Sequence, residues 1–381
     1  MKRISAFLLT AAVLCAGVPA VSAQESSGLA LSCASSILME KETGTILYEQ
    51  DAHAKLEPAS VTKIMTLLLV MEAVDSGQIA LEDTVTVSAY AAGMGGSQVY
   101  LKEGEQMTVS EMIKCVTVVS GNDCAVALAE HVAGSETAFV ARMNERAREL
   151  GMEDTNFLNC TGLPADGHIT SAYDIALMSR ELILNHPSIR DYTTIWMDSI
   201  RDGTFGLTNT NRLVRFYPGT TGLKTGSTDS ALYCMSATAE RDGMELIAVI
   251  MKAPTTAQRF EDAKKLLDYG FANYAVVNVY PETPLAPVDV LLGTAAQVQP
   301  QLQRSCKILV SKGEASQVTT QLTIAQDVEA PVEEGQTLGQ LEVYVGDQLR
   351  DTIPIVAAQP VERLTVPGIF SQMLRQLLMA R

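Results

Sequence analysis

Ser60 and Lys63 stand three residues apart in the stretch EPASVTKIMT, residues 57–66, where a long apolar run begins. A lysine charge is costly to bury. In a helix, positions i and i+3 share a face, so the ammonium can reach the hydroxyl. Pro58 fits the first helical turn, where its missing N–H costs nothing. Ser60 then falls within that turn, and its backbone N–H lacks an intrahelical partner. A free donor beside a hydroxyl, at the positive end of a helix, suits an oxyanion. Burial and a neighbouring cation would both lower the pKa of Lys63, and a neutral lysine can take the proton from Ser60. The competing interpretation is a capping serine and a lysine that snorkels to solvent. One S-x-x-K alone is weak evidence.

Two further segments carry the same kind of chemistry. In VVSGNDCA, Ser120, Gly121 and Asn122 interrupt two apolar helical runs. Gly121 lets the backbone turn sharply, which would present one hydroxyl and one amide to a cleft. The alternative is an ordinary helix–helix connection with Asn122 as N-cap. In TTGLKTGSTDSALYCMSATA, Lys224, Thr225 and Gly226 precede a β-hairpin, so an edge strand is expected there. Gly226 removes a side chain where another backbone must approach. An extended peptide could pair along that edge. Lys224 and Thr225 could hold a carboxylate by charge and hydrogen bond; otherwise the segment is a solvated turn.

These residues must be held by the surrounding elements. Two apolar runs flank EKETG near residue 42, which reads as a hairpin. Val61 to Val74 is apolar on nearly all sides, the mark of a buried helix. Helical patterns follow at 108–119, 122–133, 136–150 and 173–186. Residues 231–239 and 244–252 are β-rich and separated by ERDG, a second hairpin. A helix containing Arg259 closes this part near residue 271. Three prolines, Pro281, Pro284 and Pro287, then mark a change to a small all-β region that runs to about residue 358. The organisation expected is 1–23 signal peptide, 24–272 catalytic domain, 273–360 β-domain and 361–381 amphipathic helix.

Composition narrows the function classes. The 381 residues are 47% apolar and 19% charged, with a net charge of −16 and a pI near 4.7. That balance argues against a nucleic-acid surface, which needs a basic patch. Four histidines, with neither a C-x-x-C pair nor H-E-x-x-H, argue against a zinc site, and no cofactor is implied. Lys2 and Arg3 precede an apolar run of about 15 residues, short of the ~20 that span a bilayer. Small residues Val21 and Ala23 then suit cleavage after Ala23, so the chain is read as exported. Export permits disulfides. Cys15 leaves with the signal. Cys33, Cys115, Cys124, Cys160, Cys234 and Cys306 are scattered, and spacing does not give a connectivity. Cys115, Cys124 and Cys234 lie in apolar runs and read as small buried hydrophobes. At the C-terminus, Ile369, Met373 and Leu377 fall four apart, as do Phe370, Leu374 and Leu378. That stripe, with Arg363, Arg375 and Arg381 and no acid after Glu362, suits a helix lying in a membrane surface. A helix packed on its own domain or on a partner is the alternative.

In the order S-x-x-K, S-x-N, K-T-G, the segments resemble the active-site set of the penicillin-recognising serine enzymes. EPASVTKIMT, VSGNDCAVALAEHVAGS, TGLKTGST and NCTGLPADGHITSAYDIALMS look like one branch, the D-alanyl-D-alanine carboxypeptidases of the low-molecular-mass penicillin-binding proteins. The resemblance covers roughly residues 28–271, and the β-region and terminal helix match that family's layout. It implies an α+β fold, an antiparallel sheet flanked by helices, followed by an all-β domain. It also implies that Ser60 forms an acyl-enzyme on peptidoglycan pentapeptide stems and on β-lactams, with Lys63 as base. Ser120 would pass the proton to the leaving D-Ala and Asn122 would bind the substrate amide. Lys224, Thr225 and Arg259 would hold the terminal carboxylate, and the N–H groups of Ser60 and Ser227 would form the oxyanion hole. Some members carry histidine after K-T-G where this chain has Ser227. A class A β-lactamase would need a glutamate in E-x-x-L-N, and here Thr155 stands at that spacing before Leu158-Asn159. A glutaminase sharing S-x-x-K fits poorly with export. A non-catalytic wall-binding protein would have lost a catalytic group, and none is missing.

Overall fold

The computed structural model describes residues 29–281, 283–304, 307–368 and 370. The expected signal peptide, Cys15, Cys306 and the terminal helix beyond Phe370 lie outside them.

The hairpin around EKETG forms as β1 (Ser35–Glu40) and β2 (Ile46–Gln50). A 3-10 turn, Ala59–Thr62, leads into α1 (Lys63–Asp75), which buries ten of its thirteen residues. Short strands β3 (Thr84–Thr86) and β4 (Gln106–Thr108) pair around α2 (Ala89–Ala92). Next come α3 (Val109–Val118), α4 (Asn122–Ala133), α5 (Glu136–Glu149), α6 (Ala172–Asn185) and α7 (Arg190–Thr193). Thr108 and Glu111 close a capping box at the start of α3. A small hairpin, β5 (Met197–Ile200) and β6 (Phe205–Thr208), precedes α8 (Leu213–Phe216). The sheet is completed by β7 (Thr220–Thr228), β8 (Leu232–Arg241) and β9 (Met244–Ala253), and α9 (Thr256–Asn273) follows.

The sheet is five-stranded and antiparallel, in the order β2-β1-β9-β8-β7, so β7 is an edge strand as its sequence implied. Helices cover both faces. Ile247, Val249 and Met251 of β9 face a core shared with α1, α3, α4 and α6. Leu246, Ala248 and Ile250 face a second core under α9. Both phases of the pleat are buried, which is why the central strand reads as a continuous apolar run rather than an alternation.

The chain then enters the β-region through β10 (Tyr274–Asn278). Its strands are β11 (Val288–Leu291), β12 (Gln297–Val298), β13 (Pro300–Leu302), β14 (Lys307–Ser311), β15 (Val318–Ile324), β16 (Asp327–Glu329), β17 (Thr337–Val345) and β18 (Gln348–Ala357). They form a two-stranded sheet β10-β14, a three-stranded sheet β12-β11-β16 and a four-stranded sheet β13-β18-β17-β15. Two small cores of their own fill the spaces between them. Among the described residues, no helix is long and apolar enough to cross a membrane.

Candidate active site

The turn that carries Ser60 is pressed between two backbones. A Cβ on Gly226 of β7 would lie 2.8 Å from Ser60 N and 2.9 Å from Pro58 O and Val61 N. On the other side, a Cβ on Gly162 would lie 1.8 Å from the Ala59 carbonyl oxygen. This squeeze accompanies the 3-10 geometry found where an α-helical first turn was expected, with Ala59 at φ 48°. Both glycines are needed because only a residue without Cβ permits such an approach.

Lys63 is fully buried. Its ammonium nitrogen lies 3.1 Å from Ser60 Oγ, 2.6 Å from Asn122 Oδ1 and 2.6 Å from the Thr161 carbonyl oxygen. Burial pushes its pKa down from 10.5 to about 7. Asn122 Nδ2 donates to the Gly95 carbonyl at 2.7 Å, which sets the amide with its oxygen toward the lysine. The amide oxygen of Asn122 and the Thr161 carbonyl can only accept, so each takes one N–H. A neutral amine has two N–H bonds and one lone pair. The remaining direction, toward Ser60 Oγ, is therefore the lone pair, as a base requires.

Asn122 is the first residue of α4 and not its cap; Gly121 holds the cap position without a side-chain bond. The capping alternative fails because the amide is turned into the cleft, its oxygen on Lys63 and one N–H on the Gly95 carbonyl. Ser120 sits at φ 64°, an uncommon region for a residue with Cβ. Its hydroxyl is buried and, among the described residues, has no hydrogen-bond partner. Leaving a buried hydroxyl unpaired costs about 1–3 kcal/mol, so a ligand group that pairs it recovers that cost.

On β7, Lys224 is buried and donates to the Thr225 carbonyl at 2.9 Å. Burial pushes its pKa well below the ordinary value, and Lys63 and Arg259 add to this. The neighbouring cation expected to act on Lys63 thus acts on Lys224, while burial accounts for the fall at Lys63. Thr225 Oγ1 donates to Thr210 Oγ1 at 2.8 Å. Ser227 is exposed, paired across from Tyr233 on the outermost strand. Arg259 reaches from α9 to the carbonyls of Gly226 (3.2 Å) and Cys234 (3.4 Å), with its guanidinium over Phe260 and Tyr233. Burial lowers its pKa to about 10, so it remains a cation at neutral pH. The partners of these three basic groups are all neutral oxygens. Arg259, a cation at neutral pH paired here with carbonyl oxygens, favours a small anionic ligand, such as a terminal carboxylate.

The structure thus draws Ser60, Lys63, Asn122, Lys224, Thr225, Gly226 and Arg259 into one linked neighbourhood; Ser120 and Ser227 join it by adjacency in the chain. Sequence reasoning missed the residues that brace it. Asn159 Oδ1 accepts from the N–H groups of Thr161 (3.1 Å) and Gly162 (2.7 Å), which turns the Thr161 carbonyl toward Lys63. His168 Nδ1 accepts from the Leu158 N–H at 3.1 Å, so its proton sits on Nε2 and is donated to Thr62 Oγ1 at 2.8 Å. Burial pushes the His168 pKa down to about 4. Asp123 accepts from the N–H groups of Val99 (3.0 Å) and Leu101 (3.1 Å), and the Ser97 carbonyl accepts from Asn122 N at 2.7 Å. The turn-rich stretch NCTGLPADGH was the available signal, but a backbone carbonyl has no residue type to read.

A serine against a buried lysine of lowered pKa, beside the edge strand of an antiparallel sheet flanked by helices, is the arrangement of a serine acyl-transfer enzyme of the penicillin-binding fold. The chain belongs to the D-alanyl-D-alanine carboxypeptidase family: that family's model matches residues 20–255. A second model, described as the C-terminal domain of penicillin-binding protein 5, matches residues 276–363. The chain is 40% identical to the D-alanyl-D-alanine carboxypeptidase DacF of Bacillus subtilis over 372 residues, 95% of each chain. Penicillin-binding protein 5 from Haemophilus influenzae superposes with a TM-score of 0.74 at 28% identity, covering 89% of this chain and all of that one. Penicillin-binding protein D2 from Listeria monocytogenes, solved in an ampicillin-bound form, is 33% identical with a TM-score of 0.59, covering 64% of this chain and 99% of that one. The chain is therefore a penicillin-binding serine carboxypeptidase of the bacterial cell wall, with a C-terminal β-domain.

Proposed function

We propose that this chain removes the terminal D-alanine from peptidoglycan pentapeptide stems through an ester on Ser60. The carrying observation is Lys63, buried, lowered to about 7 and aimed at Ser60 Oγ. Ser60 Oγ attacks the penultimate D-Ala carbonyl while Lys63 takes its proton. The N–H groups of Ser60 and Ser227 hold the oxyanion, and Asn122 holds a substrate amide with the second N–H of its Nδ2. As the C–N bond breaks, the proton passes from Lys63 through Ser120 to the departing amine, and D-Ala leaves. Lys224, Thr225 and Arg259 hold its carboxylate, with Gly226 keeping the strand close. Water then attacks the ester, its proton going to Lys63, which returns it to Ser60 Oγ as the ester C–O bond breaks, freeing Ser60 and the shortened stem. In a β-lactam the broken amide lies in a ring, so the leaving nitrogen stays tethered and the ester persists.

On this reading residues 1–23 direct export, 24–272 form the catalytic domain, 273–360 the β-domain, and 361–381 lie on the outer face of the cytoplasmic membrane. The supporting observations are the basic-then-apolar start and the apolar stripe of the last segment. D-alanine release from a muramyl pentapeptide mimic, compared with Ser60→Ala, tests the chemistry. Release should vanish in the variant, and mass spectrometry after penicillin labelling should find the adduct on the Ser60 peptide. Release by the variant at the native rate would overturn the assignment.

A further inference from the structure

The β-domain carries an apolar lip that catalysis does not use. In β11, Val288 and Val290 point inward while Asp289 and Leu291 point out, so Leu291 takes a position that the pleat assigns to water. Leu292 follows at φ 58°, an unfavourable region for a branched side chain. The two are 50% and 52% exposed. Backbone bonds fasten this corner to the start of the C-terminal segment: Leu364 N–H donates to the Leu292 carbonyl and Thr294 N–H to the Glu362 carbonyl, both at 2.8 Å. Val366 and Phe370, one helical turn apart, are 81% and 70% exposed. Four large apolar side chains thus crowd one end of the domain, where the chain leaves it.

Charge indicates what covers this lip. A chain of net charge −16 is repelled by an anionic bilayer. From Arg363 to Arg381 there is no acid and there are three arginines, so this end is locally attracted. We infer that Leu291 and Leu292 form a second membrane contact, inserting beside the C-terminal segment and fixing the tilt of the β-domain on the bilayer. This rests on the membrane-surface reading of residues 361–381. Insertion at two points resists rotation about the single tail, which sets how the cleft is presented above the membrane.

The test is sedimentation of the mature, full-length chain with phosphatidylglycerol-containing vesicles. Leu291→Ser combined with Leu292→Ser should weaken binding at least about tenfold, because both side chains lose their apolar contact with the bilayer. Leu349→Ser, also at an exposed leucine but at the far end of the β17–β18 hairpin, should bind as the native chain does. D-alanine release from a soluble peptide should be unchanged in both variants, and their circular dichroism should match that of the native chain, which certifies folding. Native-like binding by the double variant would overturn the inference alone. Absence of binding by the native chain would overturn the membrane reading along with it. A solution dimer dispersed by the double substitution, with vesicle binding unchanged, would assign the lip to a second copy instead.

Discussion

If Lys63 is the base, acylation must follow its titration. The fall from 10.5 to about 7 corresponds to about 5 kcal/mol against the charged form. With a pKa near 7, about 10% of the lysine is neutral at pH 6 and about 90% at pH 8. At an unperturbed 10.5, less than about 1% would be neutral at pH 8. The second-order rate of acylation should therefore rise about ninefold between pH 6 and 8 and level off above. A fluorescent penicillin in excess, with quenched time points resolved by gel, reads this rate directly. The carboxylate of the penicillin stays ionised throughout, so it contributes no inflection. A profile flat from pH 6 to 9, or one rising only toward pH 10, would refute the neutral-lysine argument.

Three other outcomes follow from the geometry. Gly226→Ala should slow acylation by about 100-fold or more, since its Cβ would meet Ser60 N at 2.8 Å and displace either the strand or the nucleophile; a native rate would mean that the two backbones are free to separate. Asn159→Ala should cost roughly 2 kcal/mol in urea unfolding by stranding the Thr161 and Gly162 N–H groups. It should also move the acylation midpoint, because the Thr161 carbonyl loses its aim; an unchanged midpoint would count against that role. His168 stays neutral down to about 4 in the folded chain, whereas its unfolded form protonates near 6.5. The unfolded state thus binds more protons between these values, so stability falls as pH drops from 6.5 to 4, by about 3 kcal/mol from this group. His168→Gln should remove that increment from the difference in urea midpoints at pH 7 and pH 4.5; an identical pH dependence would exclude a buried neutral histidine.

Much of the catalytic region was legible because its elements are local. The hairpin at EKETG, the apolar helix after Ser60 and the strand pair around ERDG each declare themselves within a dozen residues, through turn chemistry and period. The edge position of β7 was also readable, since a lysine, a threonine and a glycine precede a tight hairpin. The 3-10 turn at Ala59–Thr62 was not. It accompanies backbones arriving from residues 162 and 226, and short-range propensity contains neither. The choice between Asn122 as cap and Asn122 as lysine partner was equally out of reach, because both use the same side chain and differ only in what lies opposite it.

The sequence by itself determined which groups were available: a serine one turn before a lysine, a hydroxyl and amide in a sharp turn, and a basic edge strand. Tertiary structure alone decided that they meet, and that burial lowers the Lys63 pKa to about 7. Its pKa is set by desolvation, a property of every atom around the amine, and two of its hydrogen-bond partners come from segments 59 and 98 residues away. The acceptor that completes the lysine's geometry is the Thr161 carbonyl, which any residue at that position would carry. Its identity as a partner exists only in the folded chain.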